Sequence, residues 1–213
     1  MTETEVANLA LARIGNWRIS SLTESSVEAG QCARHFAVTR RMLLRDFDWN
    51  FAVSWALLSQ IADGEAFDYD YAYALPSDYL RAIAFNGVPV GNKQSTSKIA
   101  GNVLYSDESD ADNAKLEYIR DVTDVTEWDD VFATAFSWYL AAAIAPSIKQ
   151  SPELSGHLLS AGKAFLAEAK GSDTQETGLK VIRGVEYSRY QAARDGHYPD
   201  NPNFLLQNWG PPN

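Results

Sequence analysis

Residues 126–170 read TEWDDVFATAFSWYLAAAIAPSIKQSPELSGHLLSAGKAFLAEAK, and this stretch decides the fold. It predicts two helices joined by a short break. Thr126 is the expected N-cap of the first helix, with Asp129 three residues later in capping-box spacing. Pro146 is expected to end that helix, because its ring clashes with the preceding turn and it has no N–H. The dipeptide Ser151-Pro152 predicts the start of the second helix.

The first of these helices is apolar on nearly every side, which is typical of a helix that neighbours cover in several directions. The second is amphipathic and is expected to pack from one side. Helical spacing predicts the apolar faces. For the first helix they are Val131, Phe132, Ala135, Trp138, Tyr139 and Ala142, with Phe136, Leu140 and Ile144 on the other side; for the second they are Leu154, Leu158, Ala161, Phe165 and Ala169.

Two more helices are predicted at the start of the chain, over residues 3–15 and 27–48. Gly15 is the expected C-terminal stop of the first, and a loop between the two is expected to be pinned to the core by Ile19 and Leu22. The predicted core faces are Val6, Leu9, Ala10 and Ile14 in the first helix and Ala29, Cys32, Phe36, Leu43 and Phe47 in the second.

A set of arginines, Arg34, Arg40, Arg41 and Arg45, falls largely off the apolar face of the second helix. One interpretation is a solvated helix face with local ion pairs to Asp46 and Asp48. The other is a subunit contact through Arg40, Arg41 and Arg45, because the planar guanidinium favours bidentate pairing at interfaces.

Residues 49–122 change to a period of two, which predicts strands. Residues 49–55 alternate in the pattern of a half-buried strand that buries its Trp, Phe and Val side chains, and residues 69–75 alternate again. A third strand is predicted over 79–85, closed by Asn86-Gly87, a strong hairpin signal. Short apolar pieces follow at 88–90, 99–105 and 115–120, and the short connections indicate antiparallel pairing.

The predicted fold class is therefore α+β: an antiparallel helical bundle of about four helices, with an inserted antiparallel β region and an extended C-terminal tail. Residues 1–48 and 123–170 would form the bundle, 49–122 the inserted β region, and 171–213 the C-terminal extension. Residues 171–178, GSDTQETG, are predicted to be a polar linker.

The C-terminal extension contains apolar residues although its proline content forbids regular structure near its end. These residues either pack back on their own domain or dock into a neighbouring subunit or partner, because exposed apolar clusters mark interaction sites. The candidate docking residues are Val181, Ile182, Tyr187, Tyr190, Phe204, Leu205, Leu206 and Trp209.

Composition argues against several classes of function. The net charge of −10 disfavours a surface that grips nucleic-acid phosphates. The single Cys32 excludes an internal disulfide and fits a reducing compartment. No run approaches the roughly 18 apolar residues of a membrane span, and no signal pattern opens the chain. We therefore expect synthesis in the cytoplasm and no membrane partner.

Catalytic and metal-binding patterns are not legible in the sequence. His35, His157 and His197 have no metal-ligand spacing, and the acidic residues within 106–113 lack the glycine and glutamate of a calcium loop. Nucleophile elbows and phosphate-binding glycine loops do not occur. We expect no cofactor, no metal and no enzymatic activity.

Several segments in order along the chain resemble one family. They are NLALARIG near the start, DFDWNFAVSWALL, YALPSDYLRAI, LEYIRDVTD followed by WDDVFATAFSWYLAAAIAP, and the late YSRYQAAR. Together they resemble the tail tubular protein A family, the head-to-tail adaptors of short-tailed bacteriophages. The resemblance covers most of the chain and concerns architecture, so it carries no catalytic residue over.

The resemblance implies a closed ring of about twelve subunits in the neck of the virion, between the portal protein and the tail nozzle protein. Double-stranded DNA would pass through the ring without specific binding. In such a ring we expect Trp138, Tyr139 and Ala142 near a subunit boundary. The alternatives are another head-completion or tail-assembly component of a phage, or an enzyme that hydrolyses cell-wall glycan through two carboxylates.

Overall fold

The structure is a computed structural model that describes residues 1–61, 68–91, 96–107 and 114–176. In these residues the fold is mixed α+β, with four helices and antiparallel sheets, which confirms the predicted class at this level. The chain divides into a compact unit of residues 1–177 and a second of residues 178–213, and the second lies outside the described residues. The helices are α1 (Glu3–Arg13), α2 (Val27–Asp46), α3 (Asp130–Lys149) and α4 (Pro152–Glu176); the strands are β1 (Val53–Leu57), β2 (Tyr71–Ala74), β3 (Tyr79–Phe85), β4 (Val88–Pro89), β5 (Ser97–Ala100), β6 (Val103–Ser106) and β7 (Lys115–Arg120).

Helix α1 begins with a capping box in which Thr2 and Glu5 each bond to the other's backbone N–H. It ends at Arg13 with Ile14 as C-cap, and the predicted stop Gly15 follows with a φ of +63°, a conformation that glycine adopts without steric cost. The predicted face is wrong at Leu9, which is 40% exposed. Leu11, two residues later, lies on the opposite side of the helix and is fully buried.

Helix α2 begins at its N-cap Ser26, whose hydroxyl accepts from the backbone N–H of Ala29. The predicted core face is confirmed, since Ala29, Cys32, Phe36 and Leu43 are buried and Phe47 is partly buried against the same core. The chain then turns at Trp49, which is 1% exposed and donates its indole N–H to the carbonyl of Leu43 at 3.1 Å. That bond fixes the exit of the chain from α2.

Helix α3 begins later than the sequence predicts. Its N-cap is Asp129, whose carboxylate accepts from the N–H of Val131, so the prediction of Thr126 as N-cap is wrong. Thr126 instead donates to Asp124 in a short 3-10 turn before the helix. A carboxylate at the N-cap satisfies free N–H groups and complements the helix dipole.

Pro146 lies inside α3 and does not end it, which overturns another prediction. The helix continues to Lys149 and stops at Gln150, which has a φ of +52°. Proline leaves the carbonyl four residues earlier, that of Ala142, without its helical donor. The hydroxyl of Ser155 on α4 donates to this carbonyl at 2.7 Å. Tertiary contact thus supplies the hydrogen bond that proline removes.

Helix α4 begins as predicted, with the hydroxyl of Ser151 capping the N–H of Leu154. The predicted apolar stripe of α4 is wrong at Ala161, which is exposed. Gly162 is buried instead and lies against α3. The helix runs to Glu176, so residues 171–176 are helical and the predicted linker there is wrong. That segment contains no proline, and extending an existing helix requires no new nucleus.

Helix α3 is covered by three neighbours. Arg13 of α1 donates to Ser137, Phe36 of α2 packs on Phe136 with ring centroids 4.8 Å apart, and Gly162 of α4 lies against Trp138. The prediction that several elements cover this helix is confirmed. In the described residues α3 is the one helix long and apolar enough to cross a membrane, so the sequence prediction that no such run occurs is wrong; 56% of its most apolar window is buried.

The strands form two antiparallel sheets in the described residues. Sheet A has the order β1-β7-β3-β4 and sheet B the order β2-β6-β5. Strand β3 has the predicted bounds, and the turn at Asn86 and Gly87 has positive φ at both residues, as a type I′ hairpin requires. The predicted apolar piece 99–105 is itself a hairpin, with β5 and β6 joined through Gly101 at φ +60°.

The segment 58–61 passes from one sheet to the other. Leu58 donates its N–H to Ala114 beside β7, whereas Ile61 donates to Ala72 on β2. Between the sheets lies a small core of Leu58, Tyr73, Leu75, Phe85, Leu104, Ala114, Leu116 and Tyr118. A chain that changes sheets in this way forms a corner and holds the two sheets face to face.

Residues 49–55 are not the continuous strand that the alternation predicts. Asn50–Ala52 form a 3-10 turn, and β1 begins only at Val53. Phe51 is partly buried on the helical core, but Trp55 is 57% exposed. The alternation fails because the aromatic residues before Val53 follow the corner after α2, where Trp49 and Phe51 pack on Phe132 of α3.

A larger core joins the helices to one end of sheet A. Its buried members include Leu80 of β3, Ile119 of β7 and Val122, together with the inner faces of α1–α4. Val53 of β1 packs on it as well. The helical layer therefore rests on the outer face of sheet A near the start of β1.

Candidate interaction surfaces

Arg40 lies inside its own chain. It is 7% exposed, and its guanidinium binds Asp121 through two bonds, Nε to Oδ1 at 2.8 Å and Nη2 to Oδ2 at 3.0 Å. Asp121 follows β7 directly, so the pair ties α2 to the end of sheet A. The sequence patterns alone placed Arg40 either on a solvated face or at a subunit contact. The solvated-face interpretation is wrong for Arg40, because the side chain is buried and its partner is 81 residues away in the chain. The subunit contact stays a prediction.

The other arginines of α2 remain at the surface. Arg41 is exposed, and Arg45 is exposed but donates to the carbonyl of Leu80 at 2.5 Å. The predicted local pairs to Asp46 and Asp48 are not made by these arginines. Asp48 instead pairs with Arg81, and Asp46 pairs with Lys170 of α4 at 2.6 Å.

Trp138, one of the residues expected near a subunit boundary, is partly buried between α1 and α4. The guanidinium of Arg13 lies 3.8 Å from the centroid of its ring, a cation–π contact. On its other side, a Cβ at Gly162 would lie 3.0 Å from the Cβ of Trp138 and 3.3 Å from the ring of Tyr139. Ala142 is 6% exposed and accepts from α4. The small residues Ala142 and Gly162 therefore allow α3 and α4 of the same chain to pack closely.

A groove of about 620 Å³ opens between α2, α3 and α4. Its charged lining residues are Arg45, Lys163 and Lys170 together with Asp46. Tyr139 lines it, and burial, followed by the charge of Asp46, raises the pKa of that phenol. The remaining lining residues are Met42, Leu43, Leu166 and Ala167.

Two exposed apolar surfaces were not anticipated from the sequence. On α2, Val38 is 59% and Met42 49% exposed, one helical turn apart and next to Arg41. On β1, Trp55 is 57% and Leu57 71% exposed. The helical spacing of Val38 and Met42 was readable, but it was masked by the stronger stripe on the opposite face. The exposure of β1 depends on its place at the edge of sheet A, which no local pattern encodes.

Two titratable groups of the described residues have pKa values that are shifted by local hydrogen bonds or by burial. Hydrogen bonds from Ser20 and Ser26 lower the pKa of Glu24 to about 2 and close the loop before α2. Burial, with the nearby charge of Glu28, raises the pKa of the Cys32 thiol to about 11. Within the described ranges no group of three or more His, Cys, Asp or Glu side chains is placed to hold a metal ion.

The candidate docking residues of the C-terminal extension, from Val181 to Trp209, lie outside the described residues. The same is true of residues 108–113, most of the acidic loop. No protein-family model matches the chain, and no curated protein sequence matches it.

Proposed function

We propose that this chain is a structural, non-enzymatic subunit of a ring-shaped head-to-tail adaptor in a short-tailed bacteriophage. The observation that carries the proposal is the ordered resemblance of its segments to the tail tubular protein A family. Three of the segments coincide with a helix end, a turn and a strand end in the structure. NLALARIG is the body and end of α1, DFDWNF is the corner after α2, and LEYIRD contains β7 from its second residue onward together with Asp121.

In this proposal α1–α4 are the antiparallel bundle of the ring wall, the sheets project toward the tail nozzle, and residues 171–213 reach the portal. The acidic composition favours passage of DNA over adhesion, since like charges repel phosphate. The virion neck is the corresponding location, after synthesis in the cytoplasm of the infected cell.

The outer face of α2 is the subunit contact that the exposed residues favour. Val38 and Met42 offer apolar area, and Arg41 and Arg45 flank them with cations suited to carboxylates of a neighbour. This assignment keeps two of the expected arginines. It leaves Arg40, Trp138 and Ala142 to contacts within the chain.

Native mass spectrometry with and without the portal protein tests the ring. We expect a closed oligomer of about twelve subunits, formed alone or on the portal, and electron microscopy should show a channel wide enough for a duplex. A protein that stays monomeric in both conditions contradicts the proposal. Immunolabelling of particles separates an adaptor from another head-completion component, because the two lie at different positions.

A paired substitution tests the α2 contact. Val38→Glu with Met42→Glu should prevent ring formation, because it buries carboxylates at the interface, and should leave the melting temperature close to that of the native chain. The matched control is Leu159→Glu, an apolar position of α4 that is 36% exposed. Equal loss of assembly in both variants contradicts the assignment of this face.

A further inference from the structure

Among the large apolar side chains of the described residues, Trp17 is the most exposed, at 87%. It lies in the loop between α1 and α2. Tryptophan is on average a largely buried residue type, and at protein interfaces it is one of the residues that supply most of the binding energy. Trp17 is therefore the side chain of this loop that would gain most from contact with a second molecule.

The loop holds Trp17 in place from both sides. Before it, the side-chain amide of Asn16 donates to the carboxylate of Glu28 on α2 at 3.1 Å. After it, the amide of Asn8 on α1 donates to the carbonyl of Ile19 at 2.9 Å and accepts from the N–H of the same residue at 2.8 Å. A fixed loop loses less conformational freedom on binding than a mobile one. The indole is thus presented in a position that is already set.

The groove between α2, α3 and α4 has the chemistry that suits an indole ring. Its volume of about 620 Å³ is that of a pocket for a bulky side chain or a small ligand. Leu166 gives it a buried apolar wall, and Met42 offers a sulfur, which contacts aromatic rings favourably. Arg45 and Lys163 line it with cations, which are attracted to the electron-rich face of an indole. The lining contains three cationic side chains and one carboxylate, although the whole chain has a net charge of −10.

Trp17 and the groove lie at opposite ends of α2. Asn16, next to Trp17, is bonded to Glu28 in the first turn of the helix, whereas Met42 and Arg45 line the groove from its last two turns. At a rise of about 1.5 Å per residue, these two ends are roughly 21–26 Å apart. A chain therefore does not fill its own groove with its own Trp17. Two different surfaces on one subunit make a heterologous contact, which is the kind that closes into rings.

We propose that Trp17 of one copy binds in the groove between α2, α3 and α4 of the next copy around the ring. The inference rests on the proposed adaptor ring and deepens it, because it names the surface that meets the outer face of α2. Met42 belongs both to that face and to the groove, so the two contacts are continuous. Tyr139, one of the residues expected near a subunit boundary, also lines the groove.

Truncating the indole tests the donor. Trp17→Ala should raise at least tenfold the protein concentration at which half of the subunits are in rings, measured by native mass spectrometry. The melting temperature should not change, because the side chain is 87% exposed. The matched control is Trp55→Ala, which removes another exposed indole from β1 and should assemble normally. Normal assembly of Trp17→Ala, or an equal defect in Trp55→Ala, overturns the inference.

A side chain that fills the groove tests the acceptor. Ala167 lines the groove and is exposed, so Ala167→Trp places an indole there from the subunit's own helix. We expect the same tenfold loss of assembly with an unchanged melting temperature. Ala161→Trp, at an exposed position of α4 that does not line the groove, is the control and should assemble normally. A defect in Ala167→Trp with normal assembly of Trp17→Ala shows that the groove takes another partner and overturns the inference.

Covalent trapping tests which ends meet. A double variant with Arg18→Cys and Ala167→Cys keeps Trp17, and its two added thiols are exposed whereas Cys32 is fully buried. Treated with a bismaleimide after assembly on the portal protein, it should give a ladder of covalent oligomers on a denaturing gel, because head-to-tail links continue from subunit to subunit. The control pair Arg18→Cys with Leu57→Cys should give at least tenfold less. A product that stops at the dimer indicates reciprocal pairing and overturns the inference, as does a gel with monomer alone.

The outcomes separate the two proposals. Rings of the native chain that are insensitive to Trp17→Ala overturn this inference and leave the adaptor function standing. A native chain that forms no ring, either alone or on the portal protein, overturns both.

Discussion

Replacing Ser155 by Ala tests how α3 accommodates Pro146. The carbonyl of Ala142 has no helical donor, because the residue four positions later is proline. It receives a hydrogen bond from the Ser155 hydroxyl at 2.7 Å, and Ala142 is 6% exposed. Ser155→Ala removes this donor without adding a new group. Water has little access to replace it.

The magnitude follows from two opposing terms. Leaving a buried acceptor without a partner costs about 1–3 kcal/mol of folding free energy. Alanine recovers about 0.5 kcal/mol, because it has the higher helix propensity. We expect a net loss of about 0.5–2.5 kcal/mol in the free energy of unfolding, and a fall in Tm of about 2–4 °C for each kcal/mol.

Urea denaturation followed by tryptophan fluorescence measures the loss, and two variants complete the experiment. Ser160→Ala, at an exposed position of the same helix, isolates the propensity term and should be neutral or slightly stabilising. Pro146→Ala restores the helical N–H, so Ser155→Ala in that background should cost about 1 kcal/mol less. An equal cost in both backgrounds would refute the explanation.

Three further outcomes are expected. Arg40→Ala should lower the free energy of unfolding, measured by urea denaturation, by about 3–5 kcal/mol, because it leaves the carboxylate of Asp121 uncompensated. Adding Asp121→Ala should restore part of this loss. If the double variant restores nothing, the pair does not stabilise the fold. Glu24 has a pKa lowered from 4.5 to about 2, so the stabilisation by its carboxylate is present above pH 4.5 and is lost as the pH falls toward 2. The difference in unfolding free energy between the native chain and Glu24→Gln should therefore vanish between pH 4.5 and 2. A difference that stays constant over this range contradicts the role of the carboxylate. The thiol of Cys32, buried with a pKa raised to about 11, should resist a disulfide reagent at pH 8 until urea unfolds the chain, and rapid labelling of the folded protein would show that it is accessible.

Local signals predicted those parts of the fold in which neighbouring residues carry the information. Asn86-Gly87 marked a hairpin because few other residues adopt two successive positive φ angles, and the bounds of β3 followed. The apolar face of α2 was readable from its period. In each of these cases the residues that determine the structure lie within a few positions of the structure itself.

The errors concern residues whose partners are distant in the sequence. Pro146 remains helical because Ser155 satisfies the carbonyl that it leaves free. Arg40 is buried because Asp121, after β7, matches its guanidinium. Trp55 is exposed because β1 lies at the edge of its sheet. The order of strands in a sheet and the identity of a remote partner follow from the whole topology, so the candidate surfaces were less predictable than the elements.

The position of α3 in the chain has a consequence for synthesis on the ribosome. It is the most apolar of the four described helices, and two of its three covering helices, α1 and α2, precede it in the sequence. At translation rates of about 5–20 residues per second, α2 is complete roughly 4–17 s before synthesis of α3 begins. Helices α1 and α2 are therefore already synthesised when α3 leaves the ribosome and can pack on it at once. Of its three covering helices, only α4 is made later. A circular permutation that places α3 first would reverse this order and should lower the soluble yield.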